Sequence, residues 1–269
     1  MAVMIPATRN KHQYDLLSTA SVSLVSFTIT LIVHEGAHVL ACLIVGGDFQ
    51  QFSLTFVRRP CEEPWQFRIV AAAGTLANLA TALACVPLML FIRQRSSFGG
   101  FVAWLFVSFN TMIGIGYLFA SGLTGVGDWA VVVSGLPGEM ALRLALAIGG
   151  GTMLLAAVFA ILRSYCQLIP DKSSVPSQQL MFVAYGTCVV WVTAIGAFQL
   201  GGGFSRHAVM GFFAAAGGLS PLLWMMQWLQ SSMFRPRGER AFEIPRSLIA
   251  YVASFIAVGL TIAASLLNR

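Results

Sequence analysis

The chain has 269 residues, of which 57% are hydrophobic and 10% charged, and its mean hydropathy is +0.79; an average soluble domain carries about 25% charged residues. A water-soluble globular protein is excluded, and because one bilayer crossing needs about 20 apolar residues, the apolar runs leave no connection large enough for a separate soluble domain. The net charge of +6 does not point to nucleic acid, since the basic residues are nearly all Arg at the ends of apolar runs, which is membrane anchoring rather than a phosphate-binding stripe.

Residues 1–20 form a polar N-terminal segment with Arg9, Lys11 and Asp15. The first apolar run lacks a small-residue cleavage site, so no removable signal peptide is expected. Runs long enough to cross a bilayer fall at 21–45, 69–92, 98–120, 141–162, 180–200, 208–229 and 247–267, which predicts an all-α polytopic protein of seven transmembrane helices in a cell (plasma) membrane. Between the first two, Phe52, Leu54 and Phe56 alternate with Ser53 and Thr55 before Arg58, Arg59 and Pro60 break the pattern. Either a short β-hairpin at the membrane surface or an amphipathic loop with interfacial aromatics accounts for this period of two. Cys42, Cys61, Cys85, Cys166 and Cys188 are widely spread with no C-x-x-C pair and read as small hydrophobes.

Ionisable groups inside hydrocarbon are costly, so the few that occur there mark function. They are His34, Glu35 and His38 in the first run and Asp128 in the Gly-rich stretch after the third. His34-Glu35-Gly36-Ala37-His38 is H-E-x-x-H: on a helix the i, i+4 spacing stacks both imidazoles on one face, close enough to share a tetrahedral zinc ion. Glu35 then flanks the metal and is placed to take a proton from a water that the metal acidifies. The bland alternative is a pair of buried histidines satisfied by helix carbonyls.

A catalytic zinc needs a third protein ligand. Asp48 lies about 15 Å along a continuing helix from His38 and returns only through a sharp turn at Gly46-Gly47. Glu139 follows Pro137-Gly138 and fits the first turn of the next helix, where the dipole favours a carboxylate anyway. Asp128, in the Gly-flanked stretch 123–129 without a nearby Lys or Arg in sequence, is the preferred third ligand; helix capping is its alternative role. His207 has no companion at ligand spacing and reads as interfacial.

The H-E-x-x-H of the first run, the strand-like stretch 47–54, and Ala73-Gly74-Thr75-Leu76-Ala77-Asn78 in the second run together resemble the site-2 protease family of intramembrane zinc metalloproteases, as a divergent member. The family's second-run pattern is G-P-x-x-N; Gly74 and Asn78 match it and Thr75 stands in place of Pro. Of the family's N-x-x-P-x-x-x-x-D-G, Asp128 matches only the acid, with Trp129 following it. The resemblance covers 21–133 and does not extend to 180–269. It implies a membrane core over 21–135, with 136–269 as additional helices of the same membrane domain. It also implies a zinc endopeptidase with His34, His38 and Asp128 as ligands and Glu35 as base, acting on a transmembrane or membrane-anchored protein. A peptide bond in a helix is shielded by its own hydrogen bonds, so such a substrate must unwind before attack. An edge strand near 52–56 would hold the extended segment, and Asn78 would donate its amide to the substrate backbone or the oxyanion. Asn78 serves equally as an interhelical hydrogen-bonding group. With no soluble module to select substrates, selection falls to the membrane helices or to a membrane adaptor protein.

Two other classes compete. A metal-ion transporter or channel would place such groups on several helices with internal repeat symmetry, and no repeat is detectable. A non-catalytic binding protein keeping the protease fold would not need Glu35.

Sidedness divides the indications. With seven crossings and the N-terminus inside, ten Lys and Arg fall on the cytosolic side against six opposite, which favours that orientation. His34 and His38, however, stand about 16 Å and 10 Å from Val45 along a helix, and the resemblance puts that nearer face in the cytosol. Close to the first run, Arg9 and Lys11 are outnumbered by Arg58, Arg59 and Arg68, so an N-terminus outside is expected.

Overall fold

Inside hydrocarbon every backbone N–H and C=O must find its partner within the segment, so the apolar runs become helices. The computed structural model describes residues 14–47, 51–52, 57–58, 63–169, 174–199, 217–229, 234 and 242–267. In chain order these form α1 (Leu16–Ile44), β1 (Gln51–Phe52), β2 (Val57–Arg58), α2 (Pro64–Arg93), α3 (Ser97–Thr124), the short α4 (Asp128–Val133), α5 (Glu139–Leu168), α6 (Ser174–Gln199), α7 (Pro221–Trp228) and α8 (Leu248–Leu267). Among the described residues five helices, α1, α2, α3, α5 and α6, are long and apolar enough to cross a membrane, which makes the chain a helical, polytopic membrane protein.

The helices begin where capping chemistry allows. Asp15 accepts from the Ser18 N–H at 2.8 Å to start α1, and Ser96 accepts from the Gly99 N–H at 3.0 Å to start α3. At α2, Glu63 and Gln66 form a capping box with Pro64 in the first turn, which starts the helix five residues before its apolar run. The β-pair matches Gln51 with Arg58 and Phe52 with Val57, antiparallel. Each strand has two residues, with Arg58 inside the pairing; the remaining alternating residues, 53–56, lie outside the described residues, as do 208–216 of the run at 208–229. Cys42, Cys85, Cys166 and Cys188 are free thiols, and Cys61 lies outside the described residues.

The core gathers around α3, where Phe101, Trp104, Leu105, Phe109 and Met112 are almost fully buried between α2 and α5. Helix α1 is unusually polar for a buried helix, and its hydroxyls are taken up by neighbours on several sides. Asn110 of α3 donates to Thr30 Oγ1 at 3.0 Å, and Trp191 of α6 donates to Thr28 Oγ1 at 2.9 Å. At its N-terminal end the Tyr251 hydroxyl donates to Asp15 Oδ2, while the Ser247 N–H donates to Ser18 Oγ at 3.0 Å. The Tyr251 hydrogen bond, aided by Ser18 and Arg246 and opposed by burial, holds the Asp15 carboxyl below the ordinary carboxylate range. Helices α6 and α8 thus grip α1 on the sides that α2 and α3 leave open, which satisfies polar groups that would otherwise be costly in the bilayer.

Candidate metal centre

The i, i+4 spacing on α1 brings the two histidines together as expected: the His34 and His38 rings lie 4.8 Å apart at 89°, and both are buried. The chain then passes through α2 and α3 before Gly125, in the left-handed region at φ 69°, ends α3 and the backbone turns back toward α1. Gly127 has φ 99°, and a β-carbon there would lie 2.8 Å from Ser121 Oγ; only glycine suits both the conformation and the approach. Asp128, the next residue, opens α4 and reaches the histidines. Its Oδ2 lies 3.0 Å from His34 Nε2 and 3.4 Å from His38 Nε2.

One ligand atom from each of His34, His38 and Asp128 lies within 4.8 Å of the others. Two imidazole nitrogens and a carboxylate oxygen are a donor set that suits zinc. His38 Nδ1 lies 2.6 Å from the Val70 carbonyl; a carbonyl only accepts, so Nδ1 carries the proton and Nε2 keeps its lone pair directed at the site. Gly74 completes the cradle. A β-carbon on it would sit 2.6 Å from His38 Nε2 and 2.8 Å from His34 Nε2, so α2 backs directly onto the ligand nitrogens. The residues present therefore fit a divalent metal.

Glu35, between the two histidines, is 6% exposed. Asn78 stands about one turn along α2 from Gly74, fully buried, with neither side-chain polar atom hydrogen-bonded among the described residues. Thr75 Oγ1 on the same helix is likewise buried and unpartnered among the described residues. An interhelical hydrogen bond, the structural alternative for Asn78, is not made among the described residues. Glu139 stands at the first turn of α5, where its Oε2 accepts from the Gly135 N–H at 2.9 Å, apart from the metal group. Asp48 and His207 lie outside the described residues.

Three contributors were not singled out from the sequence. The Val70 carbonyl is a backbone group and carries no signature in the residue pattern. Tyr117, whose ring lies 4.9 Å from that of His34, is one aromatic among many in a hydrophobic run. Arg68 donates to the Ser134 carbonyl at 3.0 Å and ties the end of α4 to the start of α2.

Comparison of the chain with family models, with curated proteins and with solved structures found no match.

Proposed function

We propose that the chain is an intramembrane zinc endopeptidase of the site-2 protease kind, cleaving a peptide bond in or near a transmembrane segment of another membrane protein. The observation that carries this reading is the convergence of His34, His38 and Asp128 with a buried glutamate between the two histidines. Metal transport or passive binding has no use for a base at that position. Zinc, when bound, supplies Lewis-acid chemistry, acidifying water and polarising the scissile carbonyl. Glu35 accepts a proton from the attacking water and returns it to the leaving amide nitrogen as the C–N bond breaks. Asn78 offers a donor and an acceptor that no group among the described residues takes up, which suits the backbone of an unwound substrate. The β1–β2 pairing supports an edge on which such a segment adds as a further strand.

The path of the chain supports seven crossings. Helix α6 starts near the end of α5, where the Tyr165 hydroxyl donates to the Ser177 carbonyl at 3.0 Å, and so runs toward the metal end. The chain must then return, because the Asp15 N–H donates to the Ile244 carbonyl at 2.9 Å and α8 starts beside the start of α1. Helix α7 lies inside the run expected to cross at 208–229: Gly218, just before it, approaches Gly116 of α3, and Gln178 near the start of α6 donates to the Met226 carbonyl at 2.9 Å, which supports a return through that run.

Purified protein is expected to contain one zinc per chain, lost in His34→Ala. Asp128→Asn should weaken metal binding by at least about tenfold while Asp48→Asn and Glu139→Gln leave it unchanged. Metal titration that instead shows loss in the Asp48 variant would reassign the third ligand. We also assign the metal end to the cytosol. In a cysteine-free background on intact cells, a membrane-impermeant thiol reagent should label Arg95→Cys, in the exposed α2–α3 turn, and spare Ser134→Cys, exposed after α4. The reverse pattern would invert the orientation.

A further inference from the structure

The two imidazoles of the metal centre are held by different means. His38 is oriented by a hydrogen bond from Nδ1 to the Val70 carbonyl. His34 Nδ1 is buried and has no hydrogen-bond partner among the described residues, although a ligating histidine ordinarily gives its second ring nitrogen to a carboxylate, carbonyl or water that sets the ring plane. Packing holds His34 instead. The α2 backbone at Gly74 closes on its Cε1 and Nε2, and Tyr117 of α3 lays its ring against the imidazole at a centroid distance of 4.9 Å and a tilt of 34°.

Tyr117 also approaches the third ligand. Its ring carbons lie 3.8 and 3.9 Å from where a β-carbon of Gly127 would stand, and Gly127 immediately precedes Asp128. Ser121, four residues on along the same face of α3, makes the closest approach to that point. One side chain thus touches a ligand imidazole and borders the backbone that delivers the carboxylate, two groups that are 94 residues apart in sequence.

We propose that Tyr117 is a positioning residue of the metal centre: its ring sets the plane of His34 and the approach of the Gly127–Asp128 backbone, doing by stacking what a hydrogen bond does for His38. This rests on the metal site proposed above. Aromatic stacking prefers offset or tilted rings about 4.5–7 Å apart, a geometry an aliphatic side chain does not reproduce and a phenylalanine does. The aromatic face is therefore what matters, and the hydroxyl is dispensable for holding metal.

The test uses the full chain in detergent, with zinc affinity measured by competition against a chelator and the ligand field read from the visible spectrum of the cobalt-substituted protein. Tyr117→Phe is expected to match the parent in both. Tyr117→Leu should bind zinc about 10- to 100-fold more weakly, the range seen when the supporting group of a ligand is lost, release it faster and show an altered cobalt spectrum, while its metal-free form still melts cooperatively. Phe159→Leu, which removes an aromatic contact to Trp228 elsewhere in the fold, should leave metal affinity unchanged. Parental affinity in Tyr117→Leu would overturn the proposal, as would an equal loss in Tyr117→Phe, which would assign the effect to the hydroxyl. Loss of cooperative melting in metal-free Tyr117→Leu would assign Tyr117 to the fold and also overturn it. Failure of the parent protein itself to bind metal would instead overturn the metal site.

Discussion

Glu35→Gln is expected to retain the fold and zinc and to lose hydrolysis of a transmembrane substrate by about 10²- to 10⁴-fold, the usual contribution of a positioned general base. The amide is nearly isosteric with the carboxylate and sits on the buried side of α1, so packing and the ligand atoms of His34, His38 and Asp128 are undisturbed. What it removes is the capacity to accept a proton. The measurement is cleavage of a purified membrane substrate, alongside zinc content and thermal melting. Parental activity in this variant would sink the proteolytic mechanism, and loss of zinc would give Glu35 a ligand's role.

Gly74→Ala is expected to weaken zinc binding by at least about 10- to 100-fold while leaving the fold nearly intact. The added methyl would overlap His38 Nε2 at 2.6 Å and His34 Nε2 at 2.8 Å, contacts that cannot persist. The cheapest relief is rotation of the two imidazoles, which moves the ligand nitrogens off the point they share with Asp128. Stability is largely protected, because alanine is favoured over glycine inside a helix by about 1 kcal/mol, which offsets part of the overpacking cost of about 1–3 kcal/mol. Zinc titration and melting of the same preparation separate the two effects. Unchanged affinity would mean that α2 does not back onto the metal position as described.

The crossing helices and the histidine pair were legible because each follows from a local rule. A run of about 20 apolar residues must be helical in a bilayer, and residues four apart on a helix share a face, which brings His34 and His38 together whatever the rest of the chain does. Gly74 and Asn78 were legible as a spaced pair, but the sequence carried no sign that Gly74 touches both ligand nitrogens, since a glycine looks the same whether it faces lipid or a metal site. The alternation at 52–56 left a short hairpin and an amphipathic loop equally open, and 53–56 lie outside the described residues; the two-residue pairing of Gln51 with Arg58 and Phe52 with Val57 includes Arg58, where the sequence pattern had ended.

What α1 contains is thus a property of the sequence by itself: apolar length, two imidazoles and a carboxylate at helical spacing. Which acid joins them is decided only by the tertiary structure. Asp128 reaches His34 from 94 residues away because α2 and α3 pack against α1 and Gly125 and Gly127 turn the chain back, and no periodicity encodes a contact made between separate helices. The same holds for the Val70 carbonyl on His38 and the Tyr117 ring on His34. A backbone oxygen has no residue identity to read, and an aromatic in an apolar run gains its role only when helix packing sets it against a ligand.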